Sequence, residues 1–202
     1  ALKLASNGYS IVIASKSTEE DPRIPGTIHS VAGEVEALGG KALAVRVDIR
    51  SEEQVIALFD QVKRTFGRLD VLVNNASAIN LSNTERMEMK RWDLMNSINV
   101  RGTYMVSKYA IPLLKEGTNG HILTLSPPLN MDKVWFGKHL GYTMAKYGMS
   151  MTVLGLAAEL KPYKIAANAL WPKTTIATAA VQNLLGGKDL VERSRKPEIM
   201  AD

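Results

Sequence analysis

The 202-residue chain has no cysteine, which removes disulfides, thiolate metal sites and a cysteine nucleophile from consideration. Having no thiols is compatible with any redox compartment. Its three histidines, His29, His121 and His139, are too far apart in sequence to form an H-x-x-x-H or similar ligand pair, so no metal centre is expected. No run approaches the roughly 18 to 20 consecutive apolar residues of a membrane span, and the first residues lack the ordered basic region, apolar core and cleavage site of a secretory signal. The 25 basic residues are scattered among 20 acidic ones, without basic runs interleaved with aromatics, which argues against a nucleic-acid partner. A soluble globular chain is left, 46% hydrophobic and 22% charged, long enough for one domain with a sizeable core. Its net charge of +5 suits a phosphorylated cofactor or an anionic thioester substrate as well as it suits plain solvated lysines.

Apolar, β-branched runs alternate with longer segments of helical period, the pattern of a parallel sheet covered by helices. The expected strands are "YSIVIAS" (9 to 15), "KALAVRVDI" (41 to 49), "DVLVN" (70 to 74), "GHILTLS" (120 to 126) and "IAANALW" (165 to 171). Between them, "TIHSVAGEVEALGG" carries Val31, Val35 and Leu38 at helical spacing before a glycine stop. "SEEQVIALFDQVKRTFG" offers Ser51 as N-cap and Gly67 as terminator. Longer helices are expected from about Lys90 to Lys115 and from about Leu140 to Leu160. Residues 1 to 7 read as the last turns of a helix, and "RSRKPEIMAD" as the start of another, so a fragment of a longer chain is expected.

Tyr142 and Lys146 stand at i and i+4, which on a helix places both side chains on one face about 5 to 6 Å apart at Cβ. A tyrosine beside an ammonium is favoured as the phenolate, and the pair can then serve as a general acid/base near neutral pH. Alone, the spacing is common on solvated helices. Around it, however, "NNAS" (74 to 77) follows a strand, "NVRGTY" (99 to 104) lies within a helical stretch, "YTMAK" holds the pair, and "VDI" (47 to 49) and "NALWP" (168 to 172) end strands. In that order these segments resemble the short-chain dehydrogenase/reductase family over essentially all 202 residues. "SPPLN", "VWF", "YTMAKYGMS" and "NALWPKT" are most similar to its hydroxysteroid dehydrogenase-like subgroup, which is associated with peroxisomes and lipid metabolism. Animal members of that subgroup carry a C-terminal sterol-carrier-like domain that these residues do not include.

The resemblance implies a Rossmann-like, doubly wound α/β sheet in a single domain spanning residues 1 to 202. It also implies a carbonyl–alcohol oxidoreductase acting by hydride transfer with a nicotinamide cofactor. Tyr142 would be the acid or base, Lys146 would hold the ribose hydroxyls and lower the tyrosine pKa, and Asn99 would hold a water leading to solvent. Ser126 would orient substrate, although the family serine is usually the second of a pair and that place is Pro127; Asn130 is the alternative. Asp48 would contact adenine, while Asn74, Asn75 and Ala76 would line the cofactor groove. Pro172, Ile176 and Thr178 would lie by the nicotinamide, with Lys173 in place of the family's glycine. At the end of the first strand Lys16 replaces the acid that binds a ribose 2′-hydroxyl, which favours NADP over NAD. The family's first strand and Gly-rich pyrophosphate turn have no counterpart in this sequence, so the sheet is expected to lack its central strand.

Three other readings bear on function. A non-catalytic cofactor-binding or interaction protein could keep the fold. An epimerase would need an added substrate domain after the last strand. Serine-hydrolase chemistry is disfavoured because Ser126 lacks a G-x-S-x-G context. Trp135, Phe136 and Trp171 would wall an apolar pocket or simply pack in the core. The stretch "MAKYGMSMTVLGLAAEL" is apolar or small nearly all round and asks for cover on two sides, which points to a homodimer or homotetramer.

Overall fold

A computed structural model of the chain describes residues 1–22, 25–185 and 187–201. The principal elements are α1 (Leu2–Ala5), β1 (Ile11–Ser15), α2 (Ile28–Ala37), β2 (Ala42–Arg46), α3 (Glu52–Phe66), β3 (Val71–Asn74), α4 (Met89–Met95), a π-helical segment (Asn96–Gly102), α5 (Thr103–Lys115), β4 (His121–Leu125), α6 (Val134–Gly137), α7 (Leu140–Glu159), β5 (Ala166–Leu170) and α8 (Gly187–Glu192). All five expected strands are present. Every ladder among them is parallel, and the architecture is Rossmann-like α/β. The ladders form two groups, β1–β2 and β3–β4–β5. The chain correspondingly divides into two compact units, one of residues Ala1–Asp48 with Pro172–Asp202 and one of residues Ile49–Trp171.

In the first unit β1 and β2 pair from Ile11 with Ala42 to Ser15 with Arg46. Ala5, Ile11 and Val35 form a buried cluster with Leu4, Ile13 and Ala42 packed against it. Helix α2 starts at a reciprocal cap, Thr27 Oγ1 accepting from Ser30 N and Ser30 Oγ accepting from Thr27 N. Val35 is fully buried, whereas Leu38, expected on the same face, is 53% exposed. Leu38 is the C-cap residue, and the helix has stopped winding before it reaches the core. The expected C-terminal helix start is a 3₁₀ turn, Pro197–Met200.

In the second unit α3 begins and ends as the sequence implies. Ser51 Oγ accepts from Gln54 N, and Gly67 closes the helix in the left-handed region at φ 75°. Strands β3, β4 and β5 pair in register from Val71 with His121 and His121 with Ala166. The expected long helix over 90 to 115 is continuous but changes pitch, with the π-helical segment between α4 and α5. Helix α7 buries Ala145, Lys146, Met149, Ser150, Val153 and Leu156, and leaves Met144, Met151 and Leu154 exposed. It comes close to the π-helical segment at Gly148, where a Cβ would stand 2.6 Å from Val100 Cγ2.

Candidate active site

Most of the predicted site residues fall in the second unit, at the C-terminal ends of β3 and β4 and on the helices that follow. Asn74 ends β3 with its side chain buried, and its Nδ2 donates to Ser107 Oγ of α5 (3.0 Å) and to Thr124 Oγ1 of β4 (3.3 Å). This side chain therefore ties strands to a helix, while Asn75 and Ala76 continue as exposed chain beyond the strand.

Asn99 lies in the π-helical segment and is fully buried. Its Oδ1 accepts from Ala78 N (2.7 Å) and its Nδ2 donates to Ala78 O (2.9 Å), so one amide holds the chain that leaves β3. A mid-helix asparagine bonded to its own neighbours is not what forms.

Tyr142 and Lys146 stand one turn apart on α7 as the spacing requires. Lys146 is buried, and its Nζ donates to Leu125 O at 2.6 Å, lies 3.3 Å from Met149 Sδ, and is 5.6 Å from the Trp171 ring centroid. Desolvation by burial brings its pKa down to about 8. Burial raises the Tyr142 phenol above its ordinary value. In this structure desolvation therefore acts on the tyrosine in the direction opposite to the lowering that a neighbouring ammonium was expected to bring. A buried ammonium bonded to one carbonyl and one thioether sulfur keeps a third donor to spare, and beside a phenol this donor set fits the ribose hydroxyls and reacting oxygen of a nicotinamide cofactor and its substrate.

Ser126 is fully buried, and its Oγ has no hydrogen-bond partner among the described residues. Asn130 is exposed; its main chain bonds Tyr147 Oη, and its Oδ1 accepts from Asp132 N. Trp135 is 58% exposed and Trp171 43%, so neither is core, while Phe136 meets Tyr147 edge to face at 5.3 Å. Sequence reading missed Tyr147 and Ser150, whose hydroxyls donate to Asn130 O (2.8 Å) and Pro127 O (2.6 Å). The two prolines were the available signal, because a stretch short of N–H donors has to be held through its carbonyls.

In the first unit Lys16 and Asp48, expected to make separate cofactor contacts, face one another with Nζ 3.9 Å from Oδ2. Ile176 forms a parallel bridge with Arg195, and Ala177 N donates to Arg195 O. Thr178 Oγ1 accepts from Val181 N, starting the next helical turn. Pro172 is half-buried. Among the described residues, no group of three or more His, Asp or Glu side chains is placed to hold a metal ion. No helix among them is long and apolar enough to cross a membrane.

The sequence profile described as "Enoyl-(Acyl carrier protein) reductase" matches residues 1–201. Hydroxysteroid dehydrogenase-like protein 2 of Xenopus tropicalis is 54% identical over 202 residues, covering 100% of this chain and 48% of that protein. The protein of the same name from Homo sapiens is 53% identical over the same coverage. The chain thus spans about half the length of the curated relatives it matches. A crystal structure of a short-chain dehydrogenase from Mycobacterium thermoresistibile superposes with a TM-score of 0.92 at 50% identity, over 99% of this chain and 71% of that one. With a matching profile along its length, parallel α/β ladders and Tyr142 and Lys146 on one helix, the chain belongs to the short-chain dehydrogenase/reductase family.

Proposed function

We propose that the protein is an NADP-dependent oxidoreductase that interconverts a carbonyl and a secondary alcohol on a lipid-like, fatty-acyl or steroid-like substrate. The observation that carries this reading is the buried Lys146 ammonium one turn from the half-buried Tyr142 phenol. When bound, the nicotinamide would supply or accept the hydride. Tyr142, kept protonated by burial, donates its proton to the carbonyl oxygen in reduction and takes it back in oxidation. Lys146 holds a hydroxyl group through the donor not used by Leu125 O and Met149 Sδ. Asn99 anchors the chain beyond β3 at Ala78, steadying the exposed Asn75–Ala76 backbone offered to the cofactor. Ser126 Oγ, a buried hydroxyl without a partner among the described residues, is assigned to orient substrate, since a ligand oxygen there would relieve the cost of leaving it unpaired.

The preference for NADP rests on Lys16, a cation at the end of β1 whose pairing with Asp48 at 3.9 Å is loose enough to be exchanged for a 2′-phosphate. Asp48 would then contact adenine, with Pro172, Ile176 and Thr178 at the nicotinamide end, all within one dinucleotide-binding domain of residues 1 to 202. Names of the relatives and of the matching profile support a steroid-like or acyl substrate. The likeness to the hydroxysteroid dehydrogenase-like subgroup supports a place in peroxisomal lipid metabolism. Exposed Met144, Met151 and Leu154 on α7 support a homodimer or homotetramer that covers them. Turnover of apolar ketones by the full-length protein should be faster with NADPH than with NADH, and Tyr142→Phe should lower it by about 10²-fold or more. Undiminished turnover in Tyr142→Phe would refute the assigned chemistry and favour a cofactor-binding protein without catalysis.

A further inference from the structure

We infer that Tyr147 is a positioning residue for substrate, one that locks the chain leaving β4 and thereby sets the apolar lip beside Tyr142; this rests on the oxidoreductase reading above. The stretch 126–130, "SPPLN", begins where the β4 ladder ends, and Pro127 and Pro128 bring no N–H donors. With the last residue of β4 it is held through its acceptors and from one helix. Lys146 Nζ donates to Leu125 O (2.6 Å), Ser150 Oγ to Pro127 O (2.6 Å) and Tyr147 Oη to Asn130 O (2.8 Å). All three donors belong to α7, and all are at most 6% exposed.

Tyr147 differs from the other two because its hydroxyl also accepts from Asn130 N (3.3 Å), so it fixes the peptide groups on both sides of that residue. From Asn130 the order propagates. Asn130 Oδ1 accepts from Asp132 N, and Asp132 Oδ1 accepts from Val134 N at the start of α6. Helix α6 returns to α7 twice, through Phe136 edge-on to the Tyr147 ring and through Trp135 O, which accepts from Thr143 Oγ1 (2.7 Å). Residues 130 to 136 thus form a loop closed onto α7 at Tyr147 and at Thr143, the residue after Tyr142. Along it Met131, Val134 and Trp135 are 74%, 56% and 58% exposed, and Leu129 just before it is 39% exposed. Such a row of apolar side chains suits the hydrocarbon tail of a carbonyl substrate, and has nothing to offer a carbonyl compound without a tail.

Tyr147→Phe keeps the ring and its edge contact and removes only the hydroxyl. In the full-length protein with NADPH, KM for a long-chain methyl ketone should rise about five- to tenfold, in keeping with one or two lost hydrogen bonds. Its kcat should stay within about twofold and acetone kinetics should not change, the split expected when only binding of the tail is lost. Hydrogen exchange at the Asn130 amide should quicken. Asp132→Ala, at an exposed position where folding is not at stake, should produce the same split in smaller measure. Equal effects on both ketones, or no change in KM for the long-chain ketone in either variant, would overturn the inference. Tyr142→Phe separates the two claims: if it abolishes turnover of both ketones while Tyr147→Phe does nothing, this inference alone fails, and if it leaves turnover intact, the oxidoreductase reading fails.

Discussion

Burial of Lys146 makes the stability of this protein depend on pH in the alkaline range. Its pKa falls from the ordinary 10.5 to about 8 through burial. The folded state therefore holds that proton less tightly than the unfolded chain, which binds more protons between the two values, so stability rises with pH across the window. At pH 7.5 the charged, buried amine costs about 3 kcal/mol, and at pH 9.5 the remaining cost is about 1 kcal/mol. Tyr142 alters that change only slightly, because its raised pKa keeps it protonated in the folded state while the unfolded phenol, with its ordinary pKa of 10.0, has only begun to ionise at pH 9.5, an effect common to every variant that keeps the tyrosine. Lys146→Met fills similar space without a charge. It forfeits the bond to Leu125 O, a loss nearly independent of pH, so the informative quantity is the change in the gap between variant and wild type. Urea unfolding at both pH values should show wild type gaining about 2 kcal/mol relative to Lys146→Met between pH 7.5 and 9.5, with equal m-values. A gap that stays constant would mean that the amine is not charged at a cost in the folded state, and the account of its burial would be wrong.

Two further substitutions probe the frame around the site. Gly148→Ala places a Cβ 2.6 Å from Val100 Cγ2 and 3.0 Å from Cγ1. Valine at χ1 is too stiff to yield, so thermal unfolding should show a loss of about 1 to 3 kcal/mol, largely restored by Val100→Ala. Asn74→Ala removes two buried bonds and leaves Ser107 and Thr124 hydroxyls without that donor; denaturant titration should register a loss of about 2 kcal/mol.

How much of this was legible in the sequence follows from how local each signal is. Strand positions were readable because "SIVIAS", "VLVN" and "HILTL" are short β-branched or apolar runs bounded by polar or glycine residues. The ends of α3 were readable because Ser51 and Gly67 act within one turn of themselves. Tyr142 and Lys146 were readable because helical spacing alone brings them together. The division into two sheets was only partly legible: the lack of a first strand predicted an interrupted sheet, and pairing partners depend on residues far apart in the chain. Leu38 was misplaced because periodicity does not say on which residue a helix stops. The roles of Tyr147 and Ser150 were signalled only indirectly, by the two prolines: their partners are backbone carbonyls 17 and 23 positions away, and a proline pair shows that carbonyls need holding without showing which side chains hold them. The meeting of Lys16 with Asp48 was hidden for the same reason, each having been read against a cofactor and not against the other.

The amide of Asn99 shows how a side chain can impersonate a strand. Its carbonyl and amino group meet the Ala78 N–H and carbonyl as the peptide edge of a neighbouring strand would, so the chain beyond β3 is still held on both its donor and its acceptor after its ladder partner has run out. Aspartate has nearly the same shape but would turn a second acceptor toward the Ala78 carbonyl, and glutamine reaches one methylene too far. A structural demand confined to one dipeptide-sized group thus selects asparagine at this position before any water, cofactor or proton is considered. The asparagine that the family resemblance would have hold a water is called for equally by the backbone it holds.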